Sequence, residues 1–231
     1  MLPGEGGEKL EPARIAAAAE ASLQRLGIET IDLYYAHQED PNTPLEESLA
    51  AFDRLVKAGK VRALGASNYS AESLQRALDI SEQQGLARYE VVQPEYNLVS
   101  RDKFEGPLQR VCIDNGLGVL PYYGLANGFL TGKYRSPADY GKSVRGGRMA
   151  KYFEGNGRAV LAAMDEVAAD TGATLAQIAL AWVAAQPGVT APIASATSLD
   201  QLDELIGAMT LDLNEGQLHR LDEASREVEP A

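Results

Sequence analysis

Over residues 12–122, short runs rich in β-branched and aromatic residues alternate with amphipathic helical stretches. Parallel strands cannot be joined by a tight hairpin. They need a crossover of a dozen residues or more, ordinarily a helix. Regular alternation therefore confines the chain to an α/β fold on a parallel sheet. Strands are predicted over residues 30–37, 60–66, 89–93, 117–122 and 189–194. Period and punctuation mark the helices between them. Pro12–Leu26 repeats Ile15, Ala19, Leu23 and Leu26 and stops at Gly27. Thr43-Pro44-Leu45-Glu46 has the form of a capping box with proline at the first helical position, and Leu45, Leu49, Phe52 and Val56 form its stripe. Ser70 opens a helix that ends at Gly85, and residues 104–115 and 158–171 read as two more. Thr174 with Gln177, Ser198 with Gln201, and Asn214 mark the last three. Residues 123–152 read as a long glycine-rich loop, and loops of that length without structure of their own are commonly functional.

Charge and cysteine content narrow the function. The 231 residues carry a net charge of −12. That disfavours a nucleic-acid binder, which needs a basic face, and an anionic membrane surface equally. No apolar run reaches the length of a membrane span. The single cysteine, Cys112, lies in an apolar helical stripe and reads as an inert core thiol. With no secretory signal at the N-terminus, a cytoplasmic protein is expected. The two histidines, His37 and His219, lack metal-ligand spacing, so no metal site is expected.

In a parallel sheet, functional residues gather at the C-terminal ends of the strands. His37, Ser67-Asn68, Gln93 and Tyr122-Tyr123 stand at such ends. No G-x-G-x-x-G follows the first strand, which removes the main support for a Rossmann fold. Each residue also has a plainer reading. His37 serves equally as a loop-bonded strand terminus, Tyr122 as core, and Ser67-Asn68 as the first turn of the next helix. GFLTGKY is not a triphosphate loop: three residues separate Gly128 from Gly132, and Tyr134 stands where a magnesium-binding Ser or Thr belongs.

Five motifs in order, IDLYYAHQEDPNTPLEE, GKVRALGASNYS, VVQPEYNLVSR, GVLPYYGLANGFLTGKY and PIASATSLDQLDE, resemble the aldo-keto reductases. The length of the GFLTGKY loop is closest to the bacterial branch, which also resembles potassium-channel β subunits. The resemblance implies a (β/α)8 TIM-type barrel, a single domain over residues 1–231, and NADP(H)-dependent reduction of a small-molecule carbonyl to an alcohol. It makes His37 the catalytic histidine and gives Ser67, Asn68 and Gln93 the nicotinamide carboxamide. Tyr122 would stack on the nicotinamide ring. Leu125, Gly128 and Lys133 would lie over the pyrophosphate and Arg145 toward the adenosine. Ser195, Thr197, Gln201 and Glu204 would grip the adenosine phosphates and adenine.

The departures from the pattern shape the remaining expectations. Five strand-helix units are counted where the barrel has eight, so an incomplete barrel lacking its first three strands is expected. The family's aspartate, tyrosine and lysine find no match in the sequence. Gly124 and Leu205 replace residues common in this branch. Two readings follow: a carbonyl reductase, or an inactive or truncated relative with a cofactor-sensing or structural role. Exposed sheet edges would favour self-association.

Overall fold

The computed structural model describes residues 9–142 and 146–226. They fall into two compact units, one built from residues up to Pro94 with Gly106–Val119, the other from Glu95–Glu105 with Leu120 onward.

The first unit is α1 (Pro12–Leu26), β1 (Ile31–Ala36), α2 (Leu45–Lys57), β2 (Val61–Ser67), α3 (Ala71–Gln84), β3 (Tyr89–Gln93), α4 (Pro107–Asp114) and β4 (Gly118–Val119). The strands are parallel, as the alternation requires, and lie in the order β1-β2-β3-β4. Ile15, Ala19 and Leu23 form the buried face of α1, and left-handed Gly27 ends it by donating to the Leu23 and Gln24 carbonyls. Ser70 caps α3 by accepting from the Ser73 amide. Aromatic rings fill the layer between sheet and helices: Tyr34 meets Phe52 edge-on, Phe52 meets Tyr89, and Tyr89 meets Tyr69. Cys112 is buried among these helices, which pushes its thiol pKa up to about 12 and keeps it un-ionised.

Two local expectations fail here. The capping box at Thr43 does not form. Pro44 itself takes the N-cap position, which leaves Thr43 one residue too early, and its hydroxyl donates to Asp40 instead (2.7 Å). The helix expected from residue 104 begins at Pro107, because Gly106 adopts φ 88° and proline suits the first helical position.

The second unit holds α5 (Ala150–Glu154), α6 (Gly157–Thr171), α7 (Leu175–Ala184), α8 (Leu199–Ala208) and α9 (Glu215–Ser225). A capping box at Thr174 opens α7, as its spacing to Gln177 predicts, and Asn214, expected only to start the last helix, forms a second box with Gln217 at the head of α9. The fully buried Trp182 anchors the unit. Tyr96 packs on its ring, the Arg101 guanidinium lies 5.2 Å from the ring centroid, and its Nε1 donates to Asp222 (3.0 Å). The stretch expected to be a structureless loop carries 3₁₀ turns at Ala126–Thr131, Pro137–Lys142 and Gly146–Arg148, then α5.

The fifth strand is absent among the described residues: 189–194 is largely exposed and joins no sheet. One ladder-like bond forms, from the Ile193 amide to the Pro121 carbonyl (2.8 Å). Pro121 and Pro192 have no amide hydrogen to extend that pairing. The observed sheet is therefore a four-stranded part of the barrel architecture, one strand fewer than the sequence suggests.

Candidate active site and cofactor site

Three strand ends in the first unit bring four of the expected residues together. Ser67 and Gln93 are register partners across β2 and β3, and the Ser67 hydroxyl donates to the Gln93 carbonyl (2.8 Å). Asn68 turns the chain off β2 with φ 56°, a left-handed conformation that asparagine tolerates better than most residues. In that turn its amide nitrogen donates to the His37 carbonyl (2.9 Å) and to the Ser67 hydroxyl (3.2 Å). Gln93, Ser67, Asn68 and His37 thus form one hydrogen-bonded line across the C-terminal ends of β3, β2 and β1. Ser67 is buried, whereas His37 and Asn68 are exposed.

Side chains alternate along β1, so Leu33, Tyr35 and the following His37 share one side of the sheet and Tyr34 faces the helices. A cavity of about 450 Å³ at the β1 edge is lined by Tyr35, His37, Ser67 and Gln93, with Arg14, Ala18 and Arg25 of α1. The Tyr35 ring reaches across β2 because its partner there is Gly65: a Cβ at 65 would lie 2.4 Å from Tyr35 Cε1. The Tyr35 hydroxyl is shut off from solvent and makes no hydrogen bond. Burial raises its pKa, and the Gln93 side chain is near enough to oppose that rise while staying outside bonding geometry.

The other expected residues belong to the second unit. Tyr122 is half-buried, and its ring meets Tyr123 edge-on with centroids 4.9 Å apart. Burial is the main cause of its raised pKa, with Glu95 and Tyr123 adding to it. Leu125 opens the turn that follows, accepting from the Gly128 and Leu130 amides. Gly128 sits at φ 90°, and a Cβ there would stand 3.1 Å from Lys133 Nζ, so the lysine folds back over the glycine. The Lys133 ammonium also lies 5.1 Å from the Tyr134 ring centroid. Two further cations of the same stretch are otherwise engaged. Arg135 makes a two-pronged pair with Asp165, and Lys142 pairs with Asp139 and donates to the Lys133 carbonyl.

At the start of α8, Gln201 braces the turn by accepting from the amide and hydroxyl of Thr197, while Ser198 accepts from the Gln201 amide. Ser195 and Thr197 are exposed and Glu204 is half-buried. Arg145 lies outside the described residues. Among the described residues no cluster of three or more His, Cys, Asp or Glu is disposed to hold a metal ion, and no single helix is long and apolar enough to cross a membrane.

Sequence reasoning missed Asn97 and the Tyr35–Gly65 pairing. A polar Asn97 set between Tyr96 and Leu98 just past a strand, and a glycine inside the β2 run, were the available signals.

The aldo/keto reductase family model matches residues 1–226. The chain is 32% identical to L-glyceraldehyde 3-phosphate reductase of Escherichia coli strain K12, over 96% of its own length and 66% of that protein's. It is also 32% identical to the NADP(+) aldo-keto reductase yakc of Schizosaccharomyces pombe, covering 95% of itself and 64% of the relative. With a probable voltage-gated potassium channel subunit beta of Arabidopsis thaliana the identity is 31%, over 90% and 65%. The chain thus spans slightly less than two thirds of the length of these relatives. The parallel β/α architecture, the polar line across its strand ends and a family match running through both units agree, and the chain belongs to the aldo/keto reductase family.

Proposed function

We propose that the chain carries the cofactor-binding and carbonyl-orienting parts of an NADPH-dependent reductase that converts a small-molecule carbonyl to an alcohol, within a single reductase domain. The observation that carries this reading is the hydrogen-bonded line of Gln93, Ser67, Asn68 and His37 beside a cavity that Tyr35 also lines. A nicotinamide fits this chemistry. The Ser67 hydroxyl donates to the Gln93 carbonyl and accepts from Asn68, which leaves its oxygen one lone pair for a carboxamide NH2. Gln93 and Asn68 supply the complementary amide groups.

When bound, the cofactor supplies the hydride. The residues of this chain hold the cofactor and orient the carbonyl. His37 donates a hydrogen bond to the substrate carbonyl oxygen, polarising it and holding it in place. Tyr122 offers an aromatic face to the nicotinamide ring. Leu125, Gly128 and Lys133 line the pyrophosphate. Ser195, Thr197, Gln201 and Glu204 receive the adenosine end, where the N-terminus of α8 favours a phosphate.

A second reading, a cofactor-sensing relative without turnover, is supported by the likeness to a protein named as a channel subunit. Both readings require NADPH binding. Fluorescence titration of the chain with NADPH is expected to give saturable binding, weakened by Gln93→Ala and untouched by Gln109→Ala on α4. Failure to saturate counts against both readings.

A further inference from the structure

Beyond β3 the chain turns at Pro94, and Glu95–Asn97 runs beside Pro121–Tyr123. Three successive carbonyls of the second segment are held there. Pro121 accepts from the Ile193 amide (2.8 Å), Tyr122 from the Tyr96 amide (3.3 Å), and Tyr123 from the Asn97 side chain (3.0 Å) and the Ala126 amide (2.7 Å). The first two bonds are backbone to backbone. At the third, a side chain takes over from the diverging strand.

What that side chain holds is unusual. Tyr123 sits at φ 59°, a left-handed conformation that an aromatic L-residue rarely adopts and that costs energy. Ala126 and Asn127 follow at φ 47° and 59°. Such a turn persists only where its surroundings over-determine it. Asn97 is fully buried, and both ends of its carboxamide are used: Nδ2 donates to the Tyr123 carbonyl, and Oδ1 accepts from the Val99 amide (2.9 Å). Its backbone is fixed as well, by reciprocal bonds with Ser100. Turning the chain at Tyr123 sets the angle at which Tyr122 and Tyr123 meet, 70° between ring planes.

We propose that Asn97 is a positioning residue for the cofactor: its carboxamide locks the left-handed turn at Tyr123 and so fixes the Tyr122 ring as the face on which the nicotinamide stacks. This rests on the reading of Tyr122 given under Proposed function. Asn97 touches neither cofactor nor substrate. It acts through the Tyr123 carbonyl.

The test uses the whole chain, NADPH as the probe, and two variants. Asn97→Ala removes both bonds. Asn97→Asp keeps the shape and the acceptor for Val99 but sets a carboxyl oxygen against the Tyr123 carbonyl in place of the amide donor, and denaturant unfolding of both variants separates the lost Tyr123 bond from a lost fold. Each is expected to weaken NADPH binding about tenfold, on the order of one hydrogen bond. On a Tyr122→Ala background the same changes are expected to cost less than about twofold, because residues acting as one unit are not additive. In protein labelled with 3-fluorotyrosine, the fluorine resonance assigned by Tyr122→Phe is expected to move in both Asn97 variants with no cofactor present. Equal losses with and without Tyr122 overturn the proposal, and so does a Tyr122 resonance that stays in place. A wild-type chain that does not bind NADPH overturns the functional reading instead, and the fluorine resonance then decides the role of Asn97 by itself.

Discussion

The Tyr35 ring occupies the space that a side chain at Gly65 would need, with its Cε1 only 2.4 Å from where a Cβ would stand. The two residues are register partners on β1 and β2, so the contact is built into the sheet. Gly65→Ala is therefore expected to push Tyr35 out of its place over β2 and to destabilise the fold by about 1–3 kcal/mol, the usual cost of overpacking. Denaturant unfolding measures the loss. An unchanged midpoint would mean that the ring moves aside freely and is not part of a fixed site.

Acid should weaken the fold. Desolvation pushes the Asp40 carboxyl pKa up, but hydrogen bonds from Thr43, Leu10 and Asn42 outweigh it and the net shift is downward. Asp53 behaves alike, with Lys57 and the Ala87 amide overcoming desolvation. Asp139, bonded by Lys142 and by the Arg135 and Ser136 amides, falls to about 2 from an ordinary 3.8. A carboxyl with a depressed folded pKa stabilises the fold above its unfolded value and loses that stabilisation as pH falls through the folded value. Thermal melts are expected to be level above about pH 5 and to decline from roughly pH 4 toward pH 2. Rising stability on acidification would contradict these bonds.

Much of the fold is legible in the sequence because its signals are local. Gly27 and Gly85 stop helices by taking positive φ, and Ser70, Thr174 and Asn214 cap them with their own side chains. The end of the Pro121 segment is not legible in this way. Residues 189–194 have a strand's composition, but strand identity depends on a partner, and prolines at 121 and 192 limit what can pair. The site divides likewise. His37, Ser67, Asn68 and Gln93 are polar residues at strand ends and stand out by position. Asn97 and Gly65 matter through what they hold or leave room for, which only the folded chain reveals.

Among the described residues β1 pairs with β2 alone, and α8 exposes an apolar stripe of Leu199, Leu202 and Ile206 that continues into Met209 at its C-terminal end, 85% exposed. An unpaired strand edge and an uncovered apolar face both favour association. Size-exclusion chromatography of the 231-residue chain is expected to show larger species as concentration rises, reduced by Ile206→Glu. A monomer at every concentration would contradict this.

Reduction of a carbonyl needs an acid for the developing alkoxide, a contribution of about 10²–10⁴ in rate. Burial raises the pKa of both Tyr35 and Tyr122, which makes each a poorer donor. We expect the 231-residue chain to oxidise NADPH no faster than background with simple aldehydes. In any polypeptide that contains this chain and does turn over, His37→Ala should slow the reaction. Robust turnover by the 231-residue chain would make His37 or one of these tyrosines the proton donor.

The central claim is that Gln93, Ser67 and Asn68 hold the nicotinamide end of NADP(H). Saturation-transfer difference NMR with NADP(+) separates the two ends of the ligand directly, since its nicotinamide and adenine protons are resolved. We expect transfer from protein to both rings in the wild-type chain, and loss of the nicotinamide signals with retention of the adenine signals in Gln93→Ala. Transfer confined to adenine in the wild type, or nicotinamide signals indifferent to Gln93→Ala, would contradict it.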